Sequence, residues 1–314
     1  MPTYDTVVDE TLEENSHAYI VRLVGPGKRV LDVGCATGYL GETLKRRGCE
    51  VVGVELDPDA AAKAATVLDD VVVADLEQAD LLAMFGPDSF DVVVFGDVLE
   101  HLRDPLPLLR SSVGLLRPGG SVVISVPNVA HGSVRLALLQ GRWEYNELGL
   151  LDATHVTFFT RASLLRMLER AGLGVVTMWP THADALATEV GVDVGRLPDG
   201  AVDWVRQQPD ADVYQFVLRA VVDDADAAVA RLHAQVRVLE SERDEALAAA
   251  RTAQSEARER VDAEHAALGA ALDRAERAES ELEALYATRV LRAAAAPRRL
   301  YGRLRGGSRD DRGR

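Results

Sequence analysis

The run Val30-Leu31-Asp32-Val33-Gly34-Cys35-Ala36-Thr37-Gly38 has the residue types of a ligand-binding turn. An apolar stretch carries an aspartate near its end, and glycines follow at Gly34 and Gly38. Glycine adopts backbone conformations closed to other residues and lets a ligand approach the main chain. A turn of this kind between a strand and a helix lies at the carboxyl edge, where open α/β sheets bind ligands. Glu55 closes the next apolar run, about twenty residues on, where a carboxylate accepts both hydroxyls of a ribose. Nicotinamide enzymes use the same two devices. Here the spacing is Gly34-x-x-x-Gly38, no third glycine follows, and Asp32 precedes the loop. The ligand implied has a ribose but no diphosphate to cradle.

These residues need elements to hold them. Short apolar runs at Arg29–Val33, Glu50–Glu55, Val71–Ala74, Phe90–Phe95 and Ser121–Val126 read as buried strands. Helices are expected at Tyr39–Arg47, from Asp59, and at Pro105–Leu116, the last stopping at Arg117-Pro118-Gly119-Gly120. Thr160–Gly172 reads as a helix with Thr160 as N-cap and Gly172 just past its end. Val175–Trp179 and Tyr214–Val222 complete the strands. Residues 181–212 carry Pro, Gly and Asp clusters, with one short helix near Val202–Gln207. The alternation predicts an α/β fold: a Rossmann-like, seven-stranded, mostly parallel sheet with helices on both faces.

The character changes after Asp223, where alanine, arginine and glutamate dominate. Val229, Leu232, Val236 and Leu239 keep a 3-4-3 spacing, Ala246, Ala250, Ala253 and Ala257 continue it, and Leu268, Ala271, Ala275, Ala278, Leu282 and Leu285 repeat it. That is a heptad seam with a break near Arg260–Glu264, and a coiled coil that self-associates is expected. Glu256/Arg260 and Asp273/Arg277 are i,i+4 pairs suited to an exposed helix. From Thr288 the chain is basic, with arginines interleaved with Val290, Leu291, Leu300, Tyr301 and Leu304. Such a segment suits an anionic membrane surface or an acidic partner, or, since Pro297 interrupts any single helix, a disordered, solubilising tail. The expected organisation is residues 1–222 as the α/β domain, 223–287 as the long C-terminal helix or coiled coil, and 288–314 as the basic tail.

The formal net charge of −15 disfavours nucleic acid as the main partner, because phosphate must be met by a basic face. Cys35 and Cys49 make no disulfide framework and read as free thiols of a reducing compartment. The acidic stretch Met1 to Glu14 has no signal-peptide core, and no apolar run nears the roughly twenty residues that span a bilayer. A cytoplasmic protein is expected, peripheral at the inner membrane face if the basic tail engages it.

The ordered motifs resemble the class I S-adenosylmethionine-dependent methyltransferases over roughly Val21 to Val222. Asp32, Gly34, Cys35, Ala36 and Gly38 look like their cofactor loop, with Ala36 where most members have glycine. Glu55, followed by Leu56, looks like the ribose-binding acid. Asp75 looks like the residue that meets the adenine amino group, with Leu76 packing nearby. The segment Phe95 to Pro105, with Asp97, Val98 and His101, is similar to the part after the fourth strand in members that methylate small molecules. Leu116 to Gly120 is typical of the same branch. The resemblance implies S-adenosyl-L-methionine as cofactor and methyl transfer as the activity. The segments Gln140–Tyr145 and Leu151–Thr160 are similar to methyltransferases found with bacterial glycosyltransferases, which implies a sugar hydroxyl of a glycan or glycolipid precursor as acceptor.

Methyl transfer is an in-line displacement, so acceptor and methyl must be aligned and water excluded. An alcohol acceptor needs a base. His155, with Asp152 nearby in sequence to fix its tautomer, and His131, at the end of the fifth strand, are the candidates. His101 reads as a packing residue beside the methionine moiety. Trp143, Tyr145, Phe158 and Phe159 are candidate walls of an acceptor pocket. No cluster has convincing metal-ligand spacing; Asp152 and His155 come nearest. Two other functions compete. A methyltransferase for a small aromatic or quinone-like metabolite would have a bulky apolar lining and no need of the tail. An inactive scaffold would act through its coiled coil, but the intact Asp32, Gly34, Gly38, Glu55 and Asp75 oppose that.

Overall fold

The computed structural model describes residues 15–223, 258, 263–285, 287–289 and 293. The chain divides into two units, Met1–Arg237 and Val238–Arg314. In the first, the elements in order are α1 (Ser16–Val24), β1 (Arg29–Val33), α2 (Tyr39–Arg46), β2 (Glu50–Glu55), α3 (Pro58–Ala64), β3 (Asp70–Val73), α4 (Leu81–Phe85), β4 (Phe90–Gly96), α5 (Pro105–Leu115), β5 (Leu116–Pro127), α6 (Gly132–Leu139), α7 (Arg161–Arg170), β6 (Leu173–His182), α8 (Ala201–Arg206) and β7 (Val213–Val222).

Local chemistry sets the helix starts. Asn15 caps α1 by accepting from the His17 and Ala18 amides, and Asp57 caps α3 just ahead of Pro58. Asp104 caps α5 ahead of Pro105, and Thr160 and Ser163 form a reciprocal capping box on α7. The helix before β5 ends close to where expected, but the strand after it begins at Leu116 rather than at Ser121. Sequence reading gave no sign of α1, α4 or α6, each of 9 residues or fewer.

The sheet order is β3-β2-β1-β4-β5-β7-β6. The first five strands pair in parallel, and β7 lies antiparallel between β5 and β6. The Rossmann-like, seven-stranded, mostly parallel architecture is therefore as expected. The strand at Val71–Ala74 differs: β3 is an edge strand, its residues exposed or half-buried, because only one side has a neighbour. Alternate residues of β1 and β4 feed two cores. One holds Leu31, Val33, Val93 and Phe95 under Leu106 and Leu109 of α5 and Leu164 of α7; the other holds Val30, Val92 and Val94 under Ile20 of α1 and Leu44 of α2. Strands buried on both faces explain the unbroken apolar runs in the sequence. The order reverses between β1 and β4, and a doubly wound sheet opens its ligand crevice at such a switch point.

In the second unit, residues 263–285 are helical and exposed on every side, Leu268, Leu272, Leu282 and Leu285 included. Arg277 donates to the Asp273 carbonyl rather than pairing with its carboxylate. The earlier heptads, the Glu256/Arg260 pair, the N-terminal stretch and most of the basic tail lie outside the described residues. Among the described residues, no helix is long and apolar enough to cross a membrane.

Candidate functional site

A cleft of about 490 Å³ opens at the carboxyl ends of β1, β2 and β4. The loop after β1 forms its floor. Gly34 has φ +74°, and a Cβ there would stand 2.7 Å from Val98 Cγ2, so a side chain would force apart the loop and the segment after β4. Ala36 also takes positive φ, 48°. Its amide donates to Glu55 Oε2 at 2.8 Å, while Glu55 Oε1 accepts from the Leu56 and Asp57 amides at 2.9 Å each. Three backbone donors thus fix the Glu55 carboxylate at the rim of the cleft. Asp75, after β3, accepts from the Glu77 amide and from Gln78 Nε2. Gly34, Ala36, Glu55, Leu56, Asp75, Leu76, Asp97, Val98 and His101 all line the cleft, as do Asp152 and His155.

Three residues assigned to the cofactor lie beneath the loop instead of in the cleft. Asp32 is buried with one carboxylate oxygen unpartnered, and burial, reinforced by Glu55, pushes its pKa up to about 7. The Cys35 thiol packs down on β2, where a Cβ on Gly53 would meet its sulfur at 2.5 Å. Burial, with Asp32 and then Glu55, pushes that thiol pKa up. Gly38 starts α2 at φ +85°, packed against Val67 and Ala64. Both cysteines are free and buried.

The other end of the cleft is built by the 3-10 turn Leu99–His101 and the loop before α7. Glu100 is 1% exposed and neither carboxylate oxygen has a partner. Burial, with Asp97 next, raises its pKa well above the usual carboxylate range. The rings of His101 and His155 meet edge-on with centroids 4.9 Å apart. His101 Nδ1 lies 3.1 Å from Thr154 Oγ1, and His155 Nδ1 lies 3.4 Å from the Leu150 carbonyl. Those contacts leave Nε2 of each ring for a ligand. Burial, then His101, lowers the His155 pKa, so this ring is neutral near pH 7. One ligand atom from each of Glu100, His101 and His155 falls within 4.8 Å of the others. Two lone-pair donors and an unpartnered carboxylate are a donor set for a divalent cation. Sequence spacing hid this trio because Glu100 and His155 are brought together only when the α7 approach folds over the turn; the Val156 and Thr157 amides both donate to the Glu100 carbonyl.

Other expectations need correction. His131 does not line the cleft: it is fully buried, Nδ1 contacts Ser133 Oγ at 2.8 Å and Nε2 the Ala183 carbonyl at 2.9 Å. It caps α6 and holds the strand-end crossing, and has no nitrogen left for catalysis. Asp152 does not orient His155; its Oδ1 accepts from the amide and hydroxyl of Thr154, which in turn contacts His101. Phe159 is core, Phe158 meets the His155 ring and Trp143 packs on Phe158, and neither of the last two lines the cleft. Residues that sequence reading missed in the lining are His17 and Tyr39, which meet each other at 3.2 Å, and Tyr214 and Gln215 at the start of β7. The only signal for the β7 pair was the alternation of a strand whose end faces the crevice.

Charge is the cleft's plainest chemical feature. Among the described residues its lining carries the carboxyl groups of Glu55, Asp57, Asp75, Glu77, Asp97, Glu100 and Asp152, and no lysine or arginine. Phosphate ligands would meet an excess of like charge there, while a positively charged ligand is attracted. A sulfonium cofactor with a ribose and an adenine fits: Gly34 admits it to the main chain, and Glu55 and Asp75 stand at successive strand ends.

Comparison with known proteins agrees with this geometry. Residues 9–178 match the family model described as a methyltransferase domain. A ubiquinone biosynthesis O-methyltransferase of Aeromonas salmonicida is 34% identical over 189 residues, 58% of this chain and 78% of that protein. The protein of the same name from Xanthomonas campestris pv. campestris is 37% identical over 137 residues, 43% of this chain and 56% of that protein. Among solved structures, a SAM-dependent methyltransferase from Archaeoglobus fulgidus is 19% identical with a TM-score of 0.49, covering 68% of this chain and 94% of that one.

Proposed function

The chain belongs to the class I S-adenosylmethionine-dependent methyltransferases and takes S-adenosyl-L-methionine as its cofactor, and on that premise we propose that it O-methylates a neutral phenolic hydroxyl of a small quinol- or catechol-like metabolite. The observation that carries this reading is the cleft lining, rich in carboxylates and with no lysine or arginine among the described residues. A sugar carried on a nucleotide or a lipid phosphate would bring negative charge into a lining whose carboxyl groups outnumber the charges one divalent cation offsets, at a Coulombic cost. A neutral phenol avoids it. The two relatives above are named for O-methylation in ubiquinone biosynthesis, which favours a quinone-like acceptor over the glycan.

The cofactor supplies an activated methyl on a sulfonium. Glu55 holds the ribose, with its carboxylate already oriented by three amides. Asp75 and Leu76 take the adenine. The acceptor hydroxyl enters at Glu100, His101 and His155; this trio would hold a divalent cation, which would supply Lewis-acid stabilisation of the hydroxyl's deprotonated form. The unpartnered, buried Glu100 carboxylate is the ground for a cation: burial without a partner is costly, and a cation removes the cost. His155 then serves as a ligand rather than as the base that its position in the sequence leads one to expect. Phe158 meets its ring edge-on, and Trp143 packs on Phe158.

The test is mass-spectrometric detection of methyl transfer from S-adenosyl-L-methionine by the full chain. The probes are 4-methylcatechol and UDP-glucose, each with magnesium, manganese or zinc and each again with EDTA. Methylation of the catechol alone, abolished by EDTA, is expected. Methylation of UDP-glucose would reverse the substrate assignment. Activity that survives EDTA but is lost in His155→Ala would return His155 to the role of base.

A further inference from the structure

Asp97 stands in an uncommon backbone conformation for a reason the fold makes visible. It follows the last residue of β4 with φ +57°, a left-handed geometry that costs a non-glycine residue energy and persists where its surroundings enforce it. Ser125, fully buried on β5, enforces it from one side: its hydroxyl donates to Asp97 Oδ1 at 2.8 Å, and its oxygen accepts the Asp97 amide at 3.0 Å. Gln215 of β7 enforces it from the other, donating from Nε2 to the same oxygen. Oδ1 is fully committed and Oδ2 is left to the cleft, which Asp97 and Gln215 both line.

Position along the sheet tells which part of the cofactor that oxygen meets. The strand order runs β3, β2, β1, β4. Asp75 stands after β3 and Glu55 at the end of β2, so a cofactor with its adenine at the first and its ribose at the second extends its sulfur toward β1 and β4. Asp97 is the carboxylate at the end of β4.

We infer that Asp97, held by Ser125 and Gln215, is the counter-charge that makes this cleft prefer the sulfonium cofactor to its neutral thioether product. Asp97 is then a specificity-determining residue, and Ser125 and Gln215 are positioning residues that act through it. The consequence is product release: once the methyl has left, sulfur is neutral and the attraction is gone. The inference depends on cofactor binding alone and not on the nature of the acceptor.

The experiment is calorimetric titration of the full chain, in EDTA so that no cation shares the site, with S-adenosylmethionine and separately with S-adenosylhomocysteine. Asp97→Asn keeps the shape and removes the charge. It is expected to weaken S-adenosylmethionine about ten-fold and to leave S-adenosylhomocysteine unchanged, as the loss of one screened charge pair would do. The second ligand also reports that the variant is folded. Ser125→Ala and Gln215→Ala should lower the same ratio by less, and Ser125→Thr, which keeps the hydroxyl, should restore it. Equal weakening of both ligands by Asp97→Asn, or no change in either, overturns the inference. A ratio that moves in Asp97→Asn but in neither positioning variant removes Ser125 and Gln215 from it. Absence of catechol methylation would sink the proposed acceptor and leave these affinities to be read as before.

Discussion

Single carboxylates in this protein are placed for different tasks by burial and by backbone donors. Glu55 is fixed by three amides and faces the cleft. Asp32, one strand away, lies under the loop with an oxygen unpartnered. Glu55→Ala should weaken S-adenosylhomocysteine by on the order of 1–3 kcal/mol, the range for hydrogen bonds to a charged group, as calorimetry would show. For Asp32 the sign follows from the raised pKa of about 7 against an ordinary 3.8. Between those values the folded state holds a proton that the unfolded chain has lost, so stability falls as pH rises through the window and levels off above it. Urea unfolding of Asp32→Asn against wild type should therefore show a difference that grows from about pH 4 to about pH 7. At about 1.4 kcal/mol for each pH unit crossed, that difference reaches the order of 4 kcal/mol. A pH-independent difference would mean that Asp32 does not titrate in this range.

At the scale of elements, function depends on where turns and loops meet. The 3-10 turn Leu99–His101 supplies Glu100 and His101, and the loop before α7 supplies His155; neither segment alone makes a site. α7 is anchored at the end of that loop by the Thr160–Ser163 capping box, which fixes where the loop stops. Thermal denaturation with and without manganese or zinc should show a higher Tm with the ion in wild type and none in Glu100→Gln. An equal rise in both would place the ion elsewhere. Thr160→Ala should cost about 1 kcal/mol in urea unfolding, the usual loss of an N-cap. A larger loss accompanied by loss of the metal effect would show that the cap also sets the position of His155.

For the whole molecule, the question is what the exposed helix of residues 263–285 does. It leaves Leu268, Leu272, Leu282 and Leu285 more than half exposed in the single chain. A long helix with an uncovered apolar seam gains stability by packing on another helix. We propose that this segment joins copies of the chain. Light scattering should give the full chain a mass above that of one copy and residues 1–223 the mass of one. An unchanged oligomer after truncation would end the proposal. The formal net charge of −15 and the acid-lined cleft have the same sign.

Sequence alone determined the sheet, the loop and the place of Glu55 at the end of β2. Apolar runs of strand length are dictated by burial on both faces, as in β1 and β4, and the glycine positions by a loop that must pass within 2.7 Å of Val98 at a would-be Cβ. Those are local constraints, and local constraints are written in residue type and spacing. Burial by distant segments is not. His131 and His155 look alike in the sequence, yet one is sealed between Ser133 and Ala183 while the other opens on the cleft. Asp32, Cys35 and Gly38 sit in the cofactor motif but serve it from beneath. Glu100, near the middle of a recognisable segment, became a candidate ligand only when the loop carrying His155 closed over it. Tyr214 and Gln215 entered the site because β7 inserts antiparallel beside β5. Tertiary structure decided these points because a side chain's exposure, partners and protonation are set by what packs against it, and residues far apart in the chain do that packing.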